Sequence, residues 1–436
     1  MVKVDWLAKQ FGSTIKSNPR WKLKEFAEAI TAKFKIQCTL NQCWWAKKIA
    51  MSELDSVLKE HYGRLWDYGA EVLRTNPGSF VFIKGEVNED WYVKGELLTA
   101  IGRDANNQMF PIAWAVVEVE CTESWVWFIK LLKKVLNLGD GYSYTVITDQ
   151  KKGLKNAIDE NLPEAEHRCC SRHIHANWKK NHPGNALKNA FWRAAKASIV
   201  ADFNRVMDEI RCISPFTYDD LLKTNPKYWS RAYFKTLTHC DVVDNNISEC
   251  FNSWILEARY KPIISMLDHI RAQCMERIHV KRDYMARIDT ELCPRIIRKL
   301  NWSIEGSKKC TSTWDGGDKC EVKDIDGNQF EVDMKNKTCS YRRWDLTGIP
   351  CSHACQAILG INAQPEKFVH DCFSKATYLK AYSNLMSPMK GSKEWPIATQ
   401  IKLLPPKARR MPGRPTKHRR READEVGSGC KMSKKR

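Results

Sequence analysis

Four groups of residues have the types and spacing to do chemistry. Cys351 and His353 are separated by one residue and lie downstream of Cys339. Thiolate and imidazole suit zinc, and a structural zinc site takes four such ligands in a tetrahedron. Asp149 ends the apolar run Tyr144-Thr145-Val146-Ile147-Thr148, and Glu249 follows Asn245-Asn246-Ile247-Ser248 where a helical pattern opens. Carboxylates delivered by separate elements are hard ligands for Mg2+ or Mn2+, and a two-metal clamp of that kind cleaves phosphodiesters. Acids on a solvated face are the commoner reading of such a pair. Cys170 and His173 stand one helical turn apart. They read either as metal ligands or as a buried thiol beside a hydrogen-bonded imidazole. The run around Arg409, Arg410, Arg414 and Lys417 is basic and bears proline. An extended Arg-Pro segment fits a narrow minor groove, and a nuclear-import run or a solvated tail remains open beside that reading.

The elements that must position these groups show in the patterning. Residues 97–103 read as a strand, 104–107 as a tight turn of Asp and Asn, and 108–120 as a second strand. Residues 123–138 repeat apolar side chains at helical spacing, and 144–148 form a short buried strand that delivers Asp149 at its C-terminal end. In open α/β sheets that end collects ligands. Residues 150–161 continue as a helix.

Upstream, a helix starts at Asn18-Pro19 and runs to Phe34. Thr39 and Gln42 fit a capping box that opens a second helix through Trp44 and Ala50, and a longer helix covers 52–73 until Asn76-Pro77-Gly78 stops it. Helix, short turn, helix is the outline of a DNA-reading unit and equally of an ordinary helical pair. Residues 80–83 read as a strand. Residues 185–235 are helical with breaks at Pro215 and Pro226, and a further helix covers 264–288. Residues 310–330 change to short strands with Asp326-Gly327 as a hairpin turn. These patterns divide the chain into a helical segment (1–78), a core with a helical insertion (79–293), a small Cys/His-bearing unit (294–396) and a basic tail without apolar patterning (397–436).

Seventy-one Lys and Arg against 51 Asp and Glu give a formal charge of +20, which favours a polyanionic partner, DNA first. The start Met1-Val2-Lys3-Val4-Asp5 is charged, and no run is long and apolar enough to span a bilayer. Seventeen scattered cysteines without a secretory leader read as reduced thiols and candidate ligands, not a disulfide framework. The expectation is cytosol or nucleus, with no membrane partner.

Two stretches resemble a known family. Gly102-Arg103-Asp104-Ala105-Asn106-Asn107-Gln108-Met109-Phe110-Pro111-Ile112-Ala113-Trp114-Ala115-Val116-Val117-Glu118 and Thr148-Asp149-Gln150-Lys151-Lys152-Gly153-Leu154 are similar to plant Mutator-like element (MULE) transposases, and the resemblance extends over about residues 21–421. It implies an α/β fold with an RNase H-like core, in which Asp149 and Glu249 are the second and third acids of an Asp-Asp-Glu triad loaded with Mg2+ or Mn2+. The first acid would begin an Asp-Gly motif. Residues 79–95 contain none and look shortened, with Asp90 the nearest carboxylate. Two carboxylates hold a metal pair poorly, so little or no transposase activity is expected. For Cys170 and His173 the resemblance implies a structural or DNA-end role.

Cys339-Ser340-Tyr341-Arg342-Arg343-Trp344-Asp345-Leu346-Thr347-Gly348-Ile349-Pro350-Cys351-Ser352-His353-Ala354 resembles the SWIM-type zinc finger, a ββα unit with Cys-x-Cys and then Cys-x-His. The resemblance implies Zn2+ on Cys339, Cys351 and His353. Tyr341 stands where the second cysteine belongs, which leaves Cys355 or water for the fourth place. Gly413-Arg414-Pro415 resembles an AT-hook core, with Arg409, Arg410 and Lys417 as flanking DNA contacts. The combined expectation is a nuclear, zinc-binding and DNA-binding transposase relative defective in catalysis. A working transposase and a domesticated, non-enzymatic transcription regulator are the alternatives, and a homo-oligomer is open.

Overall fold

The computed structural model describes residues 2–18, 21–84, 96–150, 152–403 and 405. Three helices form the N-terminal bundle: α1 (Val4–Ser17), α2 (Leu23–Phe34) and α3 (Leu40–Gly63). Leu7, Phe11 and Ile15 of α1 close on Phe26 and Ile30 of α2 and on Cys43, Ala46 and Ala50 of α3. The small side chains on α3 let its neighbours approach. The capping box forms: the Thr39 hydroxyl accepts from the Gln42 N–H at 3.2 Å, and the Gln42 amide oxygen accepts from the Thr39 N–H at 3.0 Å. Sequence patterning divided residues 40–73 near Ser52. Instead α3 runs unbroken to Gly63, and the bend falls at Arg64, ahead of α4 (Leu65–Thr75). Ser52 is exposed on the outer face of α3, where nothing competes with the helix.

Residues 80–83 form no strand. They alternate as a strand would, with Phe80 and Phe82 exposed, but among the described residues no ladder partner pairs with them. Val81 and Ile83 rest on α4 instead, so close that a Cβ added at Gly69 would meet them at 3.1 and 3.3 Å.

The central region begins with the antiparallel hairpin β1 (Glu96–Arg103) and β2 (Met109–Val117). Asp104 holds its turn: Oδ1 accepts the N–H groups of Asn106 and Gln108 at 2.9 and 2.8 Å, and Oδ2 accepts the Tyr382 hydroxyl at 2.9 Å. Burial raises this carboxyl's pKa against the pull of those donors. Next come α5 (Thr122–Leu136), β3 (Thr145–Thr148), α6 (Lys152–Asn161), β4 (Glu166–Cys169) and α7 (Ser171–Trp178). β4 pairs in parallel with β3. Among the described residues the hairpin and the parallel pair are separate two-stranded sheets, so the fold is mixed α/β, mostly helical, with small sheets.

The insertion is α8 (Asn185–Lys196), α9 (Val200–Ile213) and α10 (Pro215–Leu222), packed about the fully buried Trp229. Pro215 starts α10 where a missing N–H costs nothing, and the Ser214 hydroxyl caps it. α11 (Asn246–Trp254) lays Phe251 over Leu97, Ile101 and Met109 of the hairpin, and α12 (Ile263–Ala286) packs behind it. α13 (Pro294–Ser307) leads into a four-stranded antiparallel meander, β5 (Thr311–Trp314), β6 (Lys319–Lys323), β7 (Gln329–Asp333) and β8 (Thr338–Cys339), followed by α14 (Arg343–Thr347), α15 (Ser352–Gly360) and α16 (Lys375–Ala381). One apolar cluster runs straight across position 293/294: Ala105 and Met285 share it with Cys293, Leu300, Tyr378 and Tyr382.

After α16 the chain returns to α4 as a strap. The Glu71 carboxylate, fully buried, takes Arg74 at 2.7 and 2.8 Å and the Lys390 N–H at 3.3 Å. Asn76 Oδ1 takes the Ser387 N–H and Asp67 takes the Ala398 N–H, while Trp395 covers Tyr68.

Candidate functional site

Two regions carry side chains with chemical potential. In the first, the short strand β8 supplies Cys339, whose N–H donates to the Asp345 carboxylate at 3.0 Å. Pro350 ends the following turn, Cys351 caps α15, and His353 sits in its first turn. The two Sγ atoms and a His353 ring nitrogen all lie within 4.8 Å of one another, with 2, 1 and 7 % of the respective residues exposed. Cys339 Sγ lies 3.8 Å from His353 Nδ1. Zinc bonds of about 2.3 Å to sulfur and 2.0 Å to nitrogen in a tetrahedron place such atoms ~3.6 Å apart. The residues therefore fit a zinc ion, and the group can hold a metal.

Its surroundings hold the ligands ready. Phe330 stacks on the His353 ring at 4.1 Å and Tyr341 meets it edge-on at 5.1 Å, which fixes the imidazole. Backbone N–H groups of Tyr341 and Ala354 hydrogen-bond to Cys339 and Cys351. Hydrogen bonding to Cys351, together with burial, pushes the Cys339 thiol far up. Burial pushes Cys351 up too, but hydrogen bonds from Cys339 and His353 outweigh it and bring that thiol well below its ordinary value. The thiolate is the form that binds metal.

Cys355 is not part of the group. Its thiol donates to the Pro350 carbonyl at 3.8 Å and lies in the cluster of Met285 and Cys293. Cys351 precedes the helix and Cys355 is inside it, so the two thiols enter different cores. Sequence reasoning also passed over Arg342. This residue, in the left-handed conformation at φ 63°, reaches the carbonyls of Ser198, Ala232 and Phe234, at 3.2 Å for Ser198 and 2.6 Å for Phe234, and so ties the unit to the helical insertion.

The second region holds Asp149 and Glu249. The Thr148 carbonyl accepts the Cys170 N–H at 2.8 Å, and Cys170 Sγ accepts the Asn245 N–H at 3.1 Å, directly before α11 and Glu249. Cys170 therefore ties the end of β3 to the start of α11, and the two acids belong to one connected seam. Glu249 is occupied by Arg172 of α7 at 2.5 Å, and the same guanidinium reaches Asn246 at 3.3 Å. Asp149 Oδ1 is buried without a hydrogen-bond partner.

Cys170 and His173 flank the start of α7, and no third metal-capable side chain joins them among the described residues. Burial raises the Cys170 thiol, its sulfur serves the backbone, and the buried His173 Nδ1 has no partner. Cys170 precedes α7, and His173 lies in its first turn. Among the described residues the only group of three metal-capable side chains is Cys339, Cys351 and His353. Arg172 was the missed partner, although its place inside Cys-Ser-Arg-His was a visible signal. Asp90, Arg409, Arg410, Arg414 and Lys417 lie outside the described residues.

Residues 90–177 match the MULE transposase domain. The MULE match takes in the hairpin, β3 with Asp149, β4 and the Cys170/His173 turn, and it stops short of Glu249 and the Cys339 cluster. No curated protein matches the chain. No helix among the described residues is long and apolar enough to cross a membrane.

Proposed function

We propose that this protein is a zinc-stabilised, DNA-binding relative of MULE transposases that no longer cuts DNA. The observation that carries the reading is the MULE match across Asp149, which ties that carboxylate to a domain of DNA-rearranging enzymes. In this reading the core is RNase H-like and Asp149 and Glu249 descend from its metal-binding acids. Among the described residues the set does not fit an Mg2+ or Mn2+ pair: Glu249 is paired with Arg172, and Asp149 and Glu249 by themselves cannot surround two hard cations.

Cys339, Cys351 and His353 would hold a Zn2+ ion of SWIM type, with water or a residue outside the described ones completing it. The ion would supply a crosslink between β8 and α15 and no chemistry. The +20 charge and the AT-hook-like residues Arg409, Arg410, Arg414 and Lys417 support DNA as partner and the nucleus as location.

A second reading, a working transposase, is favoured by the unpartnered Oδ1 of Asp149, since a carboxylate oxygen awaiting a metal has this appearance. Incubation of the full chain with Mg2+ or Mn2+ and DNA bearing matched terminal repeats separates them. Binding that weakens steeply with salt and yields no cut product is expected. Robust cleavage, abolished by Asp149→Ala, overturns the proposal. Promoter occupancy with a reporter response would identify a domesticated regulator, and occupancy of terminal repeats alone would count against one.

A further inference from the structure

The bundle α1–α3 has a feature that its own packing does not explain. α3 turns Cys43, Ala46 and Ala50 inward and presents Asn41, Trp44, Trp45 and Lys48 on the opposite side. Trp44 and Trp45 are each 44 % exposed, their rings meet edge to face at 4.8 Å, and the Lys48 ammonium sits 5.1 and 4.7 Å from the two ring centres. Two tryptophans left in water beside a well-filled core mark a contact surface.

The charge around them says what covers it. Residues 1–51 hold ten lysines and arginines against three acids. Lys22, Lys24, Lys33 and Lys35 are exposed on and beside α2, the helix that precedes the turn into α3. A polyanionic partner that also exposes some apolar groups matches this set. Duplex DNA is such a partner, with phosphates outside and thymine methyls in a major groove that admits one helix. In helix-turn-helix readers the second helix enters the groove by its N-terminal residues while the first crosses the backbone. Here the capping box makes the start of α3 rigid, and the outward side chains fall within its first two and a half turns.

We propose that the Asn41, Trp44, Trp45 and Lys48 face of α3 docks in the major groove of duplex DNA, with the α2 lysines on flanking phosphates. Lys48 neutralises a phosphate, the two indoles pack on sugars and thymine methyls, and Asn41 pairs with an adenine edge. This inference rests on the DNA-binding reading above but assigns it to a surface separate from the tail and from the MULE match.

The test is fluorescence anisotropy of the full chain on a labelled mixed-sequence duplex across a salt series. Trp44→Ala with Trp45→Ala is expected to weaken binding about tenfold or more with the helical circular-dichroism signal unchanged, and Lys48→Gln is expected to lower the salt slope by about one. If the double variant loses helical signal, Lys48→Glu, which touches no core residue, carries the test through a comparable loss of affinity. Unchanged affinity in a folded variant overturns this inference while leaving the DNA-binding reading intact. Absence of binding by the unmodified chain overturns both. Loss of self-association with unchanged DNA affinity would show that a second copy covers the tryptophans, and would also overturn it.

Discussion

The two regions with metal-capable side chains have been built to opposite ends. At Cys339, Cys351 and His353 everything converges: three buried ligand atoms, backbone donors on the sulfurs and two rings that hold the imidazole. At Asp149 and Glu249 the scaffold is equally well tied, through Cys170, but one acid is neutralised by Arg172 and the other has an idle oxygen. A metal centre needs its ligands free as well as near. The cysteine cluster meets both conditions, whereas in the acidic seam Glu249 is paired with Arg172 and Asp149 Oδ1 stands free.

The largest effect should come from the cluster. Cys351→Ser should abolish zinc retention, read by elemental analysis of the full chain, and either that variant or a chelator should lower unfolding stability by about 5 kcal/mol or more. Acidification should release the ion as well, because bound thiolates must take up protons as pH falls. Undiminished zinc in the variant breaks the comparison at its stronger end.

Two aspartates sharpen it next. Asp104→Ala removes the acceptor of three hydrogen bonds and should cost about 2–4 kcal/mol in denaturant unfolding. Asp149→Asn removes no observed bond at Oδ1 and should stay within about 1 kcal/mol of the parent. An equal loss at both positions would mean that Asp149 is structural. The smallest effect is expected for Arg172→Gln: less than about 1 kcal/mol of stability for a half-exposed ion pair, but a measurable gain in Mn2+ binding by electron paramagnetic resonance as Glu249 is freed. No gain would show that the pair's geometry, and not its occupation, is at fault.

What the sequence disclosed follows the reach of each interaction. The hairpin around Asp104, the capping box at Thr39 and the helix ahead of Asp149 are fixed by neighbours in the chain, and they lie within a few residues of where patterning places them. β4 escaped because Glu166-His167-Arg168-Cys169 has no apolar alternation. It is a strand because β3 supplies its ladder, and the buried Arg168 gives its two terminal nitrogens to the Cys240 carbonyl and to Glu166. Residues 80–83 erred the other way, with strand alternation and, among the described residues, no ladder.

In the cluster, Cys339, Cys351 and His353 are picked out by the resemblance to a SWIM-type finger, and the structure places them together. The fate of Cys355 depended on which face of α15 meets Met285 and Cys293, a fact of tertiary packing. The boundary at 293/294 follows from the change to short strands downstream, and side chains from Ala105 to Tyr382 share one apolar cluster across it.

The strap across α4 makes the fold sensitive to its own length. Glu71 is sealed by Lys390, more than three hundred positions away in the chain, and Tyr68 is roofed by Trp395. A deletion meant to remove only the basic tail must therefore stop after residue 403. One that ends at 384 uncovers a charged group and an indole-sized apolar hollow at the opposite end of the sequence, so a truncated product would be recognisable to proteases by damage far from the cut.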